Sequence, residues 1–126
     1  MKLTRYLTER EVLDLHDRTS TLHGGSPGAR DLGLLQSSLY RARSGYYQSL
    51  SEQGAALLQS FCMNHPFVDG NKRVALLVSV VFLRMNGFKV TATNAEFVKF
   101  IIEDVIAKKA EIPEMAIWFE SRMAKS

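Results

Sequence analysis

Apolar residues recur along the chain at helical spacing, broken by short runs rich in Gly, Pro, Ser and Asn, and the pattern predicts six helices. Thr8-Glu9-Arg10-Glu11 has the Ser/Thr-x-x-Glu form of a capping box and opens a helix to about Ser20, with Val12, Leu13 and Leu15 facing inward. Asp31 caps a second helix through about Arg43, with Leu34, Leu35, Ser38, Leu39 and Ala42 on one face. Ser51-Glu52 opens a third, carrying Ala55, Leu57, Leu58, Phe61 and Cys62 inward until Asn64, where His65-Pro66 forbids its continuation. Val74 to Leu83 is apolar on nearly every face, which predicts a buried central helix over about 71–86, stopped by Gly87. Phe88-Lys89-Val90 reads as a short extended piece. Thr93-Asn94-Ala95-Glu96 is a second capping box, starting a helix to about Lys108, and Pro113 begins the last one, with Met115, Ile117, Trp118 and Phe119 available to close the core.

Two stretches stand outside this pattern. His23-Gly24-Gly25-Ser26-Pro27-Gly28 is a turn-rich loop, and no Gly-Lys-Ser/Thr follows it as a P-loop requires. Ser44-Gly45-Tyr46-Tyr47-Gln48-Ser49-Leu50 reads as a short hairpin or extended connection whose two tyrosines either cover the core or border a site.

The densest chemistry lies in His65-Pro66-Phe67-Val68-Asp69-Gly70-Asn71-Lys72-Arg73, which joins the third helix to the central one. The helix N-terminus at Gly70-Asn71 gathers unpaired backbone N–H groups and the positive end of the dipole, a ready anion site. Lys72 and Arg73 in the same first turn run against that dipole, and a bound phosphate would compensate them. Taken singly, each feature has an ordinary reading: a loop glycine, Asp69 neutralising Arg73, His65 as a satisfied core histidine. A base, a carboxylate, a glycine turn and paired cations within nine residues point instead to phosphate handling. His16-Asp17 has the HD form of some metal phosphohydrolases, but no further ligands assemble around it, so His16 reads as structural. Cys62-x-x-His65 has too few companions for a four-ligand zinc site.

At 126 residues and 46% hydrophobic content the chain suits one domain over 1–126, burying about two-thirds of its unfolded surface. The longest apolar run is too short for a bilayer and Met1-Lys2-Leu3-Thr4-Arg5 lacks a signal-peptide core, so the expected location is cytoplasmic, without membrane association. The lone Cys62 fits a reducing compartment and reads as a small buried hydrophobe. A net charge of +3, spread along the chain, is modest for a dedicated nucleic-acid domain.

The His-Pro-Phe-x-Asp-Gly-Asn-Lys-Arg stretch resembles the signature of the Fic/Doc superfamily, in its Doc (death-on-curing) toxin branch. Leu15-His16-Asp17, Gly24-Gly25, Gly28-Ala29-Arg30-Asp31, Gly33 to Leu39 and Phe82 to Phe88 resemble Doc-type sequences in order and spacing, so the likeness runs from about residue 12 to 88. It implies an all-α, compact six-helix bundle with a flap near 44–50 whose Tyr46 and Tyr47 lie beside the site and hold the target by strand-like pairing. In the adenylylating Fic branch the residue before the motif arginine is glycine and a second arginine follows three positions after it; here those positions are Lys72 and Leu76.

These departures point to the Doc activity, phosphoryl transfer from ATP or another nucleoside triphosphate to a Ser/Thr hydroxyl of a target protein, linked in that branch to translation elongation factor EF-Tu and growth arrest. On this resemblance His65 is the general base, Asp69 the Mg²⁺ carboxylate, Gly70, Asn71, Lys72 and Arg73 the nucleotide-phosphate contacts, and Lys72 and Arg73 the charges that offset the transition state. Its rivals are adenylyl transfer of the Fic type and a non-catalytic partner in a DNA-bound repressor complex. Adenylylating relatives are commonly restrained by a Ser/Thr-x-x-x-Glu motif, yet no glutamate here has Ser or Thr four positions earlier. Restraint is therefore expected from a cognate antitoxin of the Phd type, bound across an open groove, with nucleic acid engaged only indirectly through it.

Overall fold

The computed structural model describes residues 3–25 and 28–126; Ser26 and Pro27 of the turn-rich loop, and Met1 and Lys2, lie outside the described residues. The fold is all-α, as the apolar periodicity requires, with six helices among the described residues: α1 (Glu9–His23), α2 (Leu32–Tyr40), α3 (Leu50–Asn64), α4 (Asn71–Met85), α5 (Asn94–Phe100) and α6 (Ile112–Glu120). The capping boxes at Thr8–Glu11 and Thr93–Glu96 form with both reciprocal bonds. The third helix starts slightly earlier than its sequence suggests: Ser49, not Ser51, is the cap, its hydroxyl accepting from Glu52 N at 3.1 Å while its own amide donates to the Glu52 carboxylate at 3.1 Å.

The centre of the bundle is a pair. α3 packs against both α4 and α6 and is the more completely buried, because Gly54, Ala55 and Ala56 admit close neighbours while Leu57, Leu58 and Phe61 fill the space beyond. α4 buries Val74, Ala75, Val78, Phe82 and Leu83, but Leu76 and Leu77 stay half-exposed along a groove. Phe119 and Met115 of α6 and Val12 of α1 complete the core.

α5 does not end at Phe100; it widens into π-helical turns over Ile101–Ala107, closed by Lys108 N donating to the Glu103 carbonyl at 3.2 Å. Phe88–Val90 is a strand, β1, and its partner was not apparent in the sequence: β2 (Met123–Lys125) pairs with it antiparallel, Val90 opposite Met123 and Phe88 opposite Lys125. No helix among the described residues is long and apolar enough to cross a membrane.

The segment 44–50 forms no hairpin. A 3-10 turn at Arg41–Arg43 precedes it, bends follow at Ser44, Gly45 and Tyr46, and Ser49 is already committed to capping α3. Too few residues remain for two strands and a turn. Side chains fix it instead: Arg41 donates to the Tyr47 hydroxyl from Nε at 3.0 Å and Nη2 at 2.8 Å, and Gln53 donates to the Tyr47 carbonyl at 2.9 Å.

Candidate active site

α3 ends because Pro66 cannot continue it, and His65 closes it in the left-handed region (φ 51, ψ 58). That turn carries the imidazole out of the core to an exposed position. Arg30 braces the helix end, donating from Nε to the His65 carbonyl at 2.9 Å and from Nη2 to the Asn64 carbonyl at 3.1 Å. The Pro66 carbonyl accepts from the amides of Arg30 (2.7 Å) and Asp31 (3.1 Å), and Ala29 forms an antiparallel bridge with Phe67.

Phe67 anchors the loop. Its buried ring lies face to face with His16 of α1, centroids 3.8 Å apart and planes within 5°. Asn71 closes the turn through both ends of its amide, accepting from Phe67 N at 3.0 Å and donating to Phe67 O at 3.0 Å. Its side chain is thus occupied with loop structure, so a bound phosphate would meet its backbone amide. Gly70 (φ 76, ψ 21) then starts α4, leaving the amides of the first turn without a capping side chain.

One cleft of about 440 Å³ collects His65, Asp69, Gly70, Asn71, Lys72 and Arg73, with Val68 on its wall. All the candidates named for the chemistry except the two tyrosines therefore share one space. Asp69 forms no ion pair with Arg73; one carboxylate oxygen accepts from Gly70 N at 2.8 Å. Its other oxygen faces Gly25, where an added Cβ would stand 2.8 Å away. Arg73 reaches the opposite loop, its Nη2 donating to the Gly24 carbonyl at 3.4 Å. Tyr46 and Tyr47 do not line this cleft. Tyr46 is 81% exposed, edge-on to Tyr47 with centroids 5.1 Å apart.

A second groove, of about 360 Å³, shares Lys72 and Arg73 with this cleft and is lined by Leu76, Leu77, Val98, Ile101 and Ile102. Cys62 lies buried in α3, and burial pushes its thiol up to about 12 against the opposing pull of Lys72. It has no nucleophilic part to play at neutral pH.

Among the described residues no three His, Cys, Asp or Glu side chains converge as a metal cage. A single exposed carboxylate beside uncapped helix amides and two cations suits Mg²⁺ that arrives with phosphates, since that ion keeps water and phosphate oxygens as most of its ligands. Sequence reasoning does not assign the bracing parts: Arg30, His16 and Gly25 all fall in segments that resemble the family, but His16 reads as structural and Gly25 as a turn residue. Their partners lie 34 or more positions away, so no local spacing reveals them.

The family model described as Fic/DOC family matches residues 6–83. The chain is 32% identical over 120 residues to Toxin Doc of Mycolicibacterium smegmatis, covering 90% of each chain. It is 37% identical over 90 residues to Protein kinase doc of Escherichia phage P1, covering 68% of this chain and 71% of that protein.

Proposed function

The chain belongs to the Fic/DOC family, and on that footing we propose that it is the cytoplasmic toxin of a toxin–antitoxin pair, a phosphotransferase acting on a hydroxyl of a target protein. The observation that carries this reading is the single cleft shared by His65, Asp69, Lys72, Arg73 and the uncapped start of α4. The two relatives, one named as a toxin and one as a protein kinase, support it.

In the proposed reaction His65 takes the proton of a target Ser or Thr hydroxyl as its oxygen attacks the γ-phosphorus of ATP. The bond from that phosphorus to the bridging oxygen breaks, ADP departs, and the proton remains on the imidazole until solvent removes it. The amides of Asn71 and Lys72 hold phosphate oxygens at the positive end of α4, the Gly70 amide being engaged by Asp69, and Lys72 and Arg73 offset charge as it moves toward the leaving group. Asp69 would hold Mg²⁺, which supplies charge neutralisation between the phosphates when bound.

The acceptor we propose is EF-Tu, with arrest of translation as the result. The antitoxin, of Phd type, is placed along the groove of Leu76, Leu77, Val98, Ile101 and Ile102, where the exposed apolar side chains of Val98 and Ile102 await cover. Leu76 lies in that groove where adenylylating relatives carry an arginine, which favours the phosphoryl reading.

Mass spectrometry of EF-Tu after incubation with the protein, ATP and Mg²⁺ is the test. A mass gain of one phosphate supports the proposal. A gain of AMP assigns the site to adenylyl transfer, and no gain on EF-Tu or in a lysate favours a binding protein.

A further inference from the structure

The loop bearing the two proposed catalytic groups is gripped from outside the motif, and the grips fall on the backbones of those same two residues. Arg30 holds the carbonyls of Asn64 and His65 in a two-pronged bond at 3.1 and 2.9 Å. His16, on α1, holds the carbonyl of Asp69 through Nε2 at 2.7 Å.

Neither grip is accounted for by helix formation or packing alone. The last carbonyls of α3 have no partner within the helix, and a planar guanidinium at that end both satisfies them and opposes the negative end of the dipole. The His65 backbone also sits in a left-handed conformation that a β-carbon disfavours, so it needs holding. At position 16, 1% exposed, a phenyl ring would stack on Phe67 as well as an imidazole does, without burying polar nitrogens. The imidazole instead leaves Nδ1 buried with no partner. The bond that justifies the residue is therefore the one at Nε2, and since a carbonyl can only accept, Nε2 carries the proton.

We infer that His16 and Arg30 are positioning residues of the transferase site: Arg30 sets the stance of the His65 imidazole, and His16 sets the stance of the Asp69 carboxylate. The inference rests on the reading of His65 as base and Asp69 as the Mg²⁺ ligand. Because the grips act on different residues, their losses separate kinetically: Arg30 acts on turnover, His16 on engagement of the Mg²⁺-nucleotide.

The test uses the full chain with Arg30→Met, Arg30→Lys, His16→Phe and His16→Gln. It measures kcat and KM for Mg²⁺-ATP with EF-Tu as acceptor, calorimetric Mg²⁺-ATP binding, thermal melting, and amide resonances of residues 65–72. Arg30→Met should lower kcat ~10–10²-fold with little change in KM, the size expected of a sub-ångström to ångström displacement of a reacting group. Arg30→Lys, with one prong, should fall between. His16→Phe should weaken Mg²⁺-ATP about tenfold at nearly intact kcat, again by displacement. His16→Gln, whose side-chain amide can donate in place of Nε2, should recover most of that loss.

Folded variants with wild-type constants, or losses that track melting temperature alone with no rescue by Gln, would overturn the inference. Should His16→Phe fail to fold, His16→Gln and the exposed Arg30 pair still decide it. If the wild-type chain itself neither binds Mg²⁺-ATP nor transfers phosphate, the phosphotransferase reading fails. The amide spectra then decide the grips alone: loop shifts in Arg30→Met that lessen in Arg30→Lys, and in His16→Phe that revert in His16→Gln, uphold them, and unchanged loops sink them.

Discussion

Gly25→Ala perturbs the site without touching the core, and its effect can be worked out in two parts. Gly25 has φ +104, beyond the left-handed well that other residues enter, so alanine there strains the backbone by about 1–3 kcal/mol. The new Cβ would stand 2.8 Å from one Asp69 carboxylate oxygen and 3.3 Å from Arg73 Nη2. The oxygen must retreat by about half an ångström to reach ordinary contact. A carboxylate at the end of a flexible side chain does so by rotating, at about 0.5–1.5 kcal/mol if it leaves its rotamer well. The protein therefore folds, with a melting temperature lower by several degrees. The proposed metal ligand, however, is turned away, and a displacement of this kind costs ~10–10²-fold in function. Gly24→Ala is the control: Gly24 also has positive φ (+78), but nothing lies within 4 Å of its added Cβ, and its carbonyl toward Arg73 is kept. Calorimetric titration with Mg²⁺-ATP, beside thermal melts of both variants, separates the parts. Wild-type affinity in Gly25→Ala, or equal loss in Gly24→Ala, would refute the placement of Mg²⁺ at Asp69.

The other expectations are more direct. His65→Ala should remove ~10²–10⁴-fold of transfer and abolish growth arrest, with melting unchanged because the ring is exposed; persistent arrest would end its assignment as base. Lys72→Gly, which restores the glycine of adenylylating relatives, should depress phosphoryl transfer, and intact phosphate gain by mass spectrometry would show that Lys72 does not select the reaction. Cys62, its thiol held near 12 by burial, should resist iodoacetamide at neutral pH until the protein is denatured, whereas labelling of folded protein at the rate of a free cysteine would contradict its burial. Acid should loosen α3 and α5: Glu52 is held below its ordinary value chiefly by the Ser49 hydroxyl, and Glu96 chiefly by the Thr93 amide. A depressed carboxylate contributes stability that is full above its unfolded value and lost as pH falls through its folded one. Melting temperature should thus fall below about pH 4.5; a flat profile there would show that the capping boxes add no pH-dependent stability.

What the sequence disclosed was whatever acts locally. Thr8 with Glu11 and Thr93 with Glu96 are three positions apart, and Pro66 stops a helix wherever it stands, so helix ends and the motif loop were legible. At 44–50 the sequence allows a hairpin or an extended connection, and the hairpin is the form ruled out, because the aromatic pair Tyr46-Tyr47 suggests a strand while Ser49 is claimed by the α3 cap, a competition that only the cap geometry settles. The β2 strand was hidden because Met123-Ala124-Lys125 has no β pattern of its own and is defined by its partner. The braces on the site were hidden for the same reason. The link from Arg30 to His65 spans 35 positions and that from His16 to Asp69 spans 53, and nothing in the local composition of either residue announces its target.

The position of Lys72 and Arg73 links the two proposed ligands of the protein. Both residues line the cleft with His65 and Asp69 and also the apolar groove. A nucleotide phosphate in the cleft and an antitoxin in the groove, each placed as proposed above, would meet the same two cations. If the antitoxin brings a carboxylate to them, each ligand weakens the other, and thermodynamic linkage requires the two factors to be equal. Restraint on the proposed reading then needs no rearrangement of the helices: α4 remains fixed by Val74, Val78 and Phe82 in the core while the charges at its start are satisfied by one occupant or the other. An antitoxin that covered the groove with apolar contacts alone would leave those cations available, and nucleotide would bind the complex as well as it binds the free protein.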